Sequence, residues 1–456
     1  MKPNLLLIMC DQLRGDALGC TGSWVKTPHI DRIARRGVRF TNCVTNAPVC
    51  LPARISMATG HYPHNTGVWD NCPYELPENT PTWMSAIRDA GYRTSVFGKT
   101  ALHRGGPDLR KFEFKLKSYG LDDVDEIRGP HATVDIVCHM TERWRSLGLL
   151  EAFQKDMKER GGKNRTLVRP SVLPLSEYYD VYVGQRAKDY LHNYNRPQPW
   201  FCWVSFAGPH EPWDTPEPFA TMYRPEDMPA PFERPPGRKG APTGELDLRF
   251  AESPRGGIPN AKELRASYAG KVSLIDDQVG QILSEIEARG ELDRTTILFT
   301  SDHGEMNGDY DLIHKSNFLN PAVRVPFIVS TPEIRNSPRA GTNDSPAEWF
   351  DAGPTFAELA GAKLDYAQFA RSLGPTLRDP KLEHRDFTIS ELLQEIMYLD
   401  RDWKMMLNRK GEPYRLFDVK NDPQEMEDLV GRSEHGALIE ELKKKVADRR
   451  RQTGKT

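Results

Sequence analysis

NLLLIMCD, at residues 4–11, is a short apolar run that ends in a carboxylate. Apolar side chains would occupy both faces of such a strand, which is typical of a parallel sheet covered by helices on its two sides. Four further runs have the same character, and each ends in polar residues. They are RTSVFGK at 93–99, WFCWVSFAG at 200–208, TTILFTSDHG at 295–304 and VPFIVST at 325–331.

Helical patterns lie between these runs, at 29–37, 82–91 and 268–290. The alternation of strand and helix predicts an α/β sandwich with a large, mainly parallel mixed sheet flanked by helices. We expect one α/β domain at 1–379, with an irregular Pro- and Gly-rich insertion at about 211–262. Residues 380–456 predict a smaller C-terminal subdomain with a short antiparallel sheet, because WKMMLN and YRLFDV resemble a hairpin.

The composition is that of an ordinary globular protein. The 456 residues are 38% hydrophobic and 28% charged, and the formal net charge is -2. This balance gives no reason to expect a nucleic acid or an anionic membrane as a partner. The apolar runs also fall short of the roughly 18 residues that a membrane-spanning helix needs.

The seven cysteines show neither framework spacing nor a CxxC pair. This usage favours a reducing compartment and argues against a structural zinc site. The apolar stretch at residues 5–9 is too short for the core of a signal peptide and is soon followed by Asp11. We therefore expect a cytoplasmic protein, or a periplasmic one if the sequence is a mature form.

Two predicted strands end in side chains that could bind a cation. Asp11 and Gln12 close the first run, and Asp302 and His303 close the run at 295–304. The first pair alone could equally cap a helix, and the second pair alone would be weak evidence for a cation site. Because ligands of an open α/β sheet bind beyond the carboxyl ends of its strands, we expect the two pairs to converge. Three oxygens and one imidazole suit Ca²⁺, Mg²⁺ or Mn²⁺, and the imidazole favours Mn²⁺.

Two lysines and a histidine are expected at the same edge. Lys99 ends the run at 93–99, His210 stands between two prolines after the run at 200–208, and Lys315 follows later. Each of them could be a solvated surface residue. Together with Cys50 and a divalent cation, they would form a rim that favours a tetrahedral oxyanion, as in a sulfate, phosphate or phosphonate ester.

The motif CLPAR at Cys50–Arg54 gives this rim a more specific meaning. With its surroundings it resembles the C-x-P-x-R signature of the formylglycine-dependent (type I) sulfatases, within the alkaline phosphatase superfamily. The resemblance extends from Pro3 to about Leu429. It also rests on TGVWDN at 66–71, SDHGE at 301–305, HKSNFLNPAVRVPFIV at 314–329 and RLFDVKNDPQEMEDL at 415–429.

The resemblance implies a sulfuric ester hydrolase that cleaves a sulfate monoester to an alcohol and sulfate. In that family a formylglycine-generating enzyme oxidises the signature cysteine, here Cys50, to an aldehyde, and Pro52 and Arg54 would be read during this maturation. The hydrated aldehyde attacks sulfur, and its second hydroxyl allows the intermediate to collapse. The substrate would be a small-molecule or saccharide sulfate ester, and the sequence allows a homo-oligomer.

The resemblance also implies roles for individual residues. We expect one divalent cation, Ca²⁺ before Mn²⁺ or Mg²⁺. Its ligands would be Asp11, Gln12, Cys50, Asp302 and His303. Catalytic roles would fall to Cys50, Arg54, Lys99, His103, His210 and Lys315. Substrate contacts would come from Asn71, Thr100, Lys99, His210 and Lys315.

The chain departs from the family pattern at one position. The family often reads G-K-x-H, but here Ala101 stands at the histidine position, and His103 lies two residues later. His103 is our candidate for the base that helps the intermediate to collapse. The phosphonate monoester hydrolases of the same superfamily lack that histidine and have threonines nearby, and Thr100 is similar to them in this respect. Hydrolysis of a phosphonate monoester or phosphodiester is therefore the alternative. A non-catalytic sulfate-binding homologue is a further one.

Overall fold

The computed structural model of the protein describes residues 2–161, 165–235, 243–253, 256–335 and 337–454. The strands in these ranges are β1 Asn4–Asp11, β2 Val38–Phe40, β3 Cys43–Val44, β4 Arg93–Lys99, β5 Asp123–Ile127, β6 Trp200–Pro209, β7 Thr295–Ser301, β8 Phe327–Ser330, β9 Gly341–Asn343, β10 Ala347–Glu348, β11 Thr388–Leu392, β12 Glu395–Leu399, β13 Trp403–Leu407 and β14 Pro413–Asp418.

The α-helices are α1 Pro28–Arg35, α2 Cys50–Thr59, α3 Pro63–Thr66, α4 Trp83–Asp89, α5 Glu113–Ser118, α6 Pro130–Thr133, α7 His139–Ser146, α8 Leu150–Glu159, α9 Tyr179–His192, α10 Glu245–Glu252, α11 Ala261–Ala288, α12 Asn320–Val323, α13 Pro332–Arg335, α14 Ala352–Ala360, α15 Gly374–Arg378 and α16 Gly436–Thr453. None of the helices in the described ranges has the length and apolar character needed to cross a membrane.

The central sheet has the strand order β5-β4-β6-β1-β7-β8-β2-β9. The strands from β5 to β7 are parallel to their neighbours, whereas β8 runs antiparallel to both β7 and β2. The predicted mixed, mainly parallel sheet is confirmed. The consequence for function is that β4, β6, β1 and β7 are neighbours, so their carboxyl ends meet at one edge.

The apolar run of β1 supplies two cores, because successive side chains of a strand point to opposite faces. Leu6 and Ile8 belong to the cluster that contains residues of α9 and α11. Leu5 and Leu7 belong to the cluster that contains residues of α4 and α14. All four side chains are buried to within 1% of complete burial. Helices thus cover both faces of the sheet, as the unbroken hydrophobicity of the strand predicted.

The C-terminal part forms a second, antiparallel sheet in the order β11-β12-β13-β14. The predicted hairpin corresponds to β13 and β14, and α16 packs on the sheet through Leu442 and Val446. The boundary between 1–379 and 380–456 stays a prediction. In its described residues the insertion at about 211–262 contains α10, the start of α11 and two short 3-10 helices at Phe219–Thr221 and Pro225–Asp227, which the prediction of an irregular segment missed. Its residues 236–242 and 254–255 lie outside the described ranges.

Candidate active site

Cys50 lies at the point where helix α2 begins, over the carboxyl ends of β1 and β7. Its Sγ is 3.6 Å from Asp11 Oδ1 and 3.1 Å from His303 Nε2. The preceding residue, Val49, is extended, so the chain turns into the helix at the cysteine itself. The convergence predicted for the two strand ends is therefore present, and the cysteine of CLPAR stands within it.

Asp11, Cys50, Asp302 and His303 form a buried cluster whose potential ligand atoms all lie within 4.8 Å of one another. His303 Nε2 is 3.7 Å from Oδ1 of both aspartates. His303 Nδ1 lies 3.0 Å from the carbonyl oxygen of Gly304, a distance at which its N–H would donate and leave Nε2 as the free acceptor. Two carboxylates and an imidazole that face one point fit a divalent cation.

Arg54 and Lys99 contact the second oxygen, Oδ2, of the two aspartates. Arg54 Nε donates to Asp302 Oδ2 at 2.8 Å, and its Nη2 lies 3.6 Å from Asp11 Oδ2. Lys99 Nζ also pairs with Asp11 Oδ2. Each carboxylate therefore gives one oxygen to a basic side chain and turns the other toward His303. This arrangement fixes the orientation of both acids without any exposure to solvent, since their side chains are 0% exposed.

Gln12, which was predicted as a ligand, makes a different set of contacts. Its backbone has a positive φ of 71°, and its backbone N–H donates to Asp302 Oδ1 at 3.1 Å. Its side-chain amide donates to Glu211 at 2.7 Å and to Glu305, and accepts from Lys315. The side chain thus links the cation cluster to a neighbouring group of polar residues, and its role as a ligand stays a prediction.

Lys315 and His210 form the next part of the site. Lys315 Nζ lies 2.6 Å from His210 Nε2, and His210 Nδ1 lies 2.7 Å from the carbonyl oxygen of Glu211. With Lys315 as the donor, Nε2 of His210 is the acceptor and its proton is on Nδ1. The structure thus brings together two of the residues that were predicted to bind the ester oxygens.

Glu211, Glu305 and His314 were missed by the sequence analysis. Glu211 lies 3.1 Å from His314 Nδ1, and Glu305 accepts from the backbone N–H of His314 at 2.5 Å. Glu211 directly follows His210, and Glu305 closes the SDHGE stretch, so their proximity to predicted residues was the available signal. Nothing in the local pattern showed that the two acids would meet at Gln12.

Lys271 of α11 binds the backbone of the loop that carries His210. This lysine is fully buried and donates to the His210 carbonyl oxygen at 2.9 Å. It also pairs with Asp214 and donates to the Tyr179 hydroxyl, both at 2.9 Å. A buried ammonium with all of its donors satisfied positions the loop rigidly, since each unsatisfied donor would cost free energy.

The electrostatics favour an anion at Cys50. Burial and the Asp11 carboxylate raise the pKa of the Cys50 thiol. The positive charges of Lys99, Lys315 and His303 lower it by more, so the pKa lies well below its usual value. Burial lowers the pKa of Lys315, but Cys50 and Glu211 outweigh this and raise it above its ordinary range. The basic side chains stay charged, and negative charge at residue 50 is stabilised.

The three other predicted residues lie around this centre. The Asn71 side chain accepts from the backbone N–H of Leu51 at 2.9 Å, which places it at the start of α2. Thr100 donates to Glu126, and His103 Nε2 lies 2.8 Å from the same carboxylate. His103 Nδ1 is buried and has no hydrogen-bond partner in the described residues. Their catalytic and binding roles stay predictions, and Glu126 was not foreseen.

A protein-family model described as "Sulfatase" matches residues 3–362 of the chain. The chain belongs to the sulfatase family. A second model, "N-sulphoglucosamine sulphohydrolase, C-terminal", matches residues 308–452 of this sulfatase-family protein. The prediction of a sulfatase-type enzyme in the alkaline phosphatase superfamily is thereby confirmed.

Relatives and solved structures cover almost the whole of this family member. A choline-sulfatase of Rhizobium meliloti is 29% identical over 94% of this chain and 82% of its own length. An arylsulfatase of Clostridium perfringens is 27% identical over 97% of this chain and 93% of its own. The crystal structure of a phosphonate monoester hydrolase of Agrobacterium radiobacter, 25% identical, covers 99% of this chain and 96% of its own with a TM-score of 0.79.

Replacing one aspartate tests the cation cluster. Asp302→Ala should lower the affinity for Ca²⁺ or Mn²⁺ by more than the roughly 10–100-fold that the loss of an outer-shell partner costs. The measurement is calorimetric titration together with the metal content of the purified protein. Asp227→Ala, which changes a half-exposed carboxylate at the surface, is the matched control and should change neither. Retention of the cation by a folded Asp302→Ala protein would remove Asp302 from the ligands.

A second substitution tests the residue near Ala101. If His103 acts as a base in turnover, His103→Ala should lower kcat by about 10²–10⁴-fold and leave substrate binding in place. Steady-state kinetics with an aryl sulfate measures both quantities. His192→Ala removes a histidine that is 69% exposed and serves as the control. An unchanged kcat in His103→Ala would show that His103 is not the base.

Proposed function

We propose that this protein hydrolyses a sulfate monoester with a formylglycine derived from Cys50 and one divalent cation. The observation that carries the proposal is the position of Cys50, whose Sγ lies 3.1 Å from His303 and 3.6 Å from Asp11 in a cluster fit for a cation. A thiolate hydrolase would use His303 as its base. The two side chains that contact Cys50, His303 and Asp11, are both proposed cation ligands, which favours a formylglycine nucleophile.

The chain's own residues divide the work as follows. The hydrate of formylglycine would supply the nucleophilic oxygen and, after loss of the alcohol, a second hydroxyl that allows sulfate to leave. Arg54 holds the Asp302 carboxylate in place and offsets the negative charge around residue 50. Lys99 and Lys315, both nearly buried, supply positive charge where the ester oxygens become more negative.

The leaving oxygen needs a proton, and Lys315 and His210 are placed to supply it. Their nitrogens lie 2.6 Å apart, and Lys271 fixes the backbone of the histidine. A proton on Lys315 can therefore reach His210 Nε2 across one hydrogen bond. Protonation by either side chain turns the departing alkoxide into a neutral alcohol.

The cation site would use Asp11, Asp302 and His303 together with residue 50. Gln12 is a further proposed ligand through its amide oxygen. A divalent cation would act as a Lewis acid and stabilise negative charge on oxygen. We expect Ca²⁺, with Mn²⁺ or Mg²⁺ as alternatives, because carboxylate oxygens dominate the set.

Hydrolysis of a phosphonate monoester is the second candidate. It is supported by the crystal structure of the phosphonate monoester hydrolase, which matches over 99% of the chain at 25% identity. It is also supported by the sequence Lys99-Thr100-Ala101, in which no histidine stands two residues after the lysine. Both activities would use the same nucleophile and cation, so they differ in the ester that the pocket accepts.

The nucleophile can be tested by mass spectrometry of the tryptic peptide FTNCVTNAPVCLPAR, residues 40–54. Protein made in a host that matures sulfatases should show the mass loss of a thiol-to-aldehyde conversion at Cys50, trapped by a hydrazine probe. Cys43 lies in the same peptide and should be unchanged, which provides an internal control. Cys50→Ser should allow at most one turnover, because its ester cannot collapse to an aldehyde. An unmodified Cys50 beside a converted control sulfatase would contradict the proposal.

The substrate class can be tested with matched leaving groups. We expect kcat/KM for 4-nitrophenyl sulfate to exceed that for 4-nitrophenyl phenylphosphonate by at least about 10-fold, which corresponds to about 1.4 kcal/mol of differential transition-state stabilisation. Protein stripped of cations and protein reloaded with Ca²⁺ should be compared in parallel. A ratio reversed in favour of the phosphonate would replace the first candidate by the second.

A further inference from the structure

A cavity of about 360 Å³ opens beside the predicted catalytic residues. Lys315, Glu211 and His314 form the wall that it shares with the site described above, and His131, Arg165 and Arg249 belong to the remainder of its lining. Lys315 also contacts Gln12 and His210, so the cavity lies directly beside the place where the ester oxygens would lie. The alcohol part of a substrate would extend into it.

Arg249 is the notable side chain of this lining. It projects from α10, and its Nε is buried without a hydrogen-bond partner in the described residues. The acids that act on its charge are Glu245, Glu252, Glu305 and Asp70, and among the described residues none of them forms an ion pair with its guanidinium. Burial also lowers its pKa, since the surrounding acids compensate only in part. A half-buried arginine of this kind leaves a planar set of donors available for an anion.

A second arginine, Arg165, lines the same cavity. Its side chain is exposed, and its backbone is held beside the cavity because the Trp213 indole N–H donates to the Arg165 carbonyl oxygen at 3.1 Å. Arg160, also in the lining, is already engaged, since its Nε pairs with Asp156 at 2.6 Å and its Nη1 donates to the Trp213 carbonyl oxygen. The cavity is thus built on a fixed frame that carries two arginines with no described ion pair.

The cavity does not suit a positively charged group. Glu211 is the acid in its lining, and this carboxylate is already bonded to Gln12 and paired with His314. Trp213, its one aromatic side chain apart from the histidines, is 0% exposed, so it offers no open face to a quaternary ammonium group. The charges therefore select for negative and against positive substituents.

We propose that Arg249 and Arg165 form a subsite for a second anionic group on the alcohol part of the substrate, a carboxylate or a further sulfate. This inference rests on the proposed ester hydrolysis, because the subsite lies beside Lys315. The substrate class is therefore an ester with two negative groups, the cleaved sulfate and a second anion on the same molecule. At the subsite, the guanidinium group of Arg249 would bind this second anion.

Matched aryl sulfates test the subsite by turnover. Phenyl sulfate, 4-carboxyphenyl sulfate and 4-(trimethylammonio)phenyl sulfate carry an uncharged, an anionic and a cationic para position, and comparison of their ratios between wild type and variant cancels their different leaving-group reactivity. We expect kcat/KM to fall in the order carboxylate, uncharged, cationic. In Arg249→Met the ratio of the carboxylated to the uncharged ester should fall by about 10-fold or more, because a hydrogen bond to a charged group contributes roughly 1.5–3 kcal/mol.

Two further variants separate charge from structure. Arg249→Lys should keep part of the preference, because it retains the charge and loses the fork. Arg224→Met, at a surface position whose side chain is 67% exposed, should leave the ratio unchanged. Phenylene 1,4-bis(sulfate) in the same assay distinguishes a sulfate from a carboxylate as the preferred second anion. Equal ratios in wild type and a folded Arg249→Met protein would overturn the proposal.

Binding without turnover keeps the subsite and the activity separate. Calorimetry with benzene-1,4-disulfonate and benzenesulfonate should show tighter binding of the dianion in wild type and loss of that difference in Arg249→Met. If no sulfate ester is hydrolysed and the dianion preference persists, the proposed function fails and the subsite stands. If sulfate esters are hydrolysed without any preference in either assay, the subsite fails and the function stands.

Discussion

The site depends on the hydrogen bonds that the buried guanidinium group of Arg54 donates. Arg54 lies in the second turn of helix α2, as the last residue of CLPAR, and is 0% exposed. It donates to Asp302 at the end of β7, to the carbonyl oxygen of Lys99 at the end of β4 and to Ser205 of β6. One planar side chain thereby links helix α2 to three strands of the central sheet. A lysine could replace its charge but not the several directions of its donors.

A buried charge of this kind is costly unless it is paired, and here the pairing also serves the chemistry. Asp11 and Asp302 each use one oxygen for a basic side chain, which leaves the other oxygen directed at His303. These ion pairs therefore fix the orientation of the proposed cation ligands. This preorganisation avoids the reorganisation that a solvent-exposed pair of acids would require.

Much of the fold was predictable, because the signals for it are local. Five apolar runs with polar ends predicted β1, β4, β6, β7 and β8, and intervening patterns predicted helices such as α1, α4 and α11. The C-terminal hairpin was also predicted from WKMMLN and YRLFDV, although β11 and β12 were not separated from their surroundings. The hydrophobic pattern could not predict that β8 is antiparallel, since an apolar run has the same periodicity in either direction.

The sequence by itself determined the family, the cysteine at the centre and the acids at the ends of β1 and β7, because a motif and a strand end are local features of a chain. Tertiary structure alone decided which residues surround them. Glu126 became the common partner of Thr100 and His103, and Glu211 and Glu305 met at Gln12. The physical reason is that these contacts join residues far apart in the chain, and Arg249 reaches its cavity only because α10 packs beside the loop that carries Lys315.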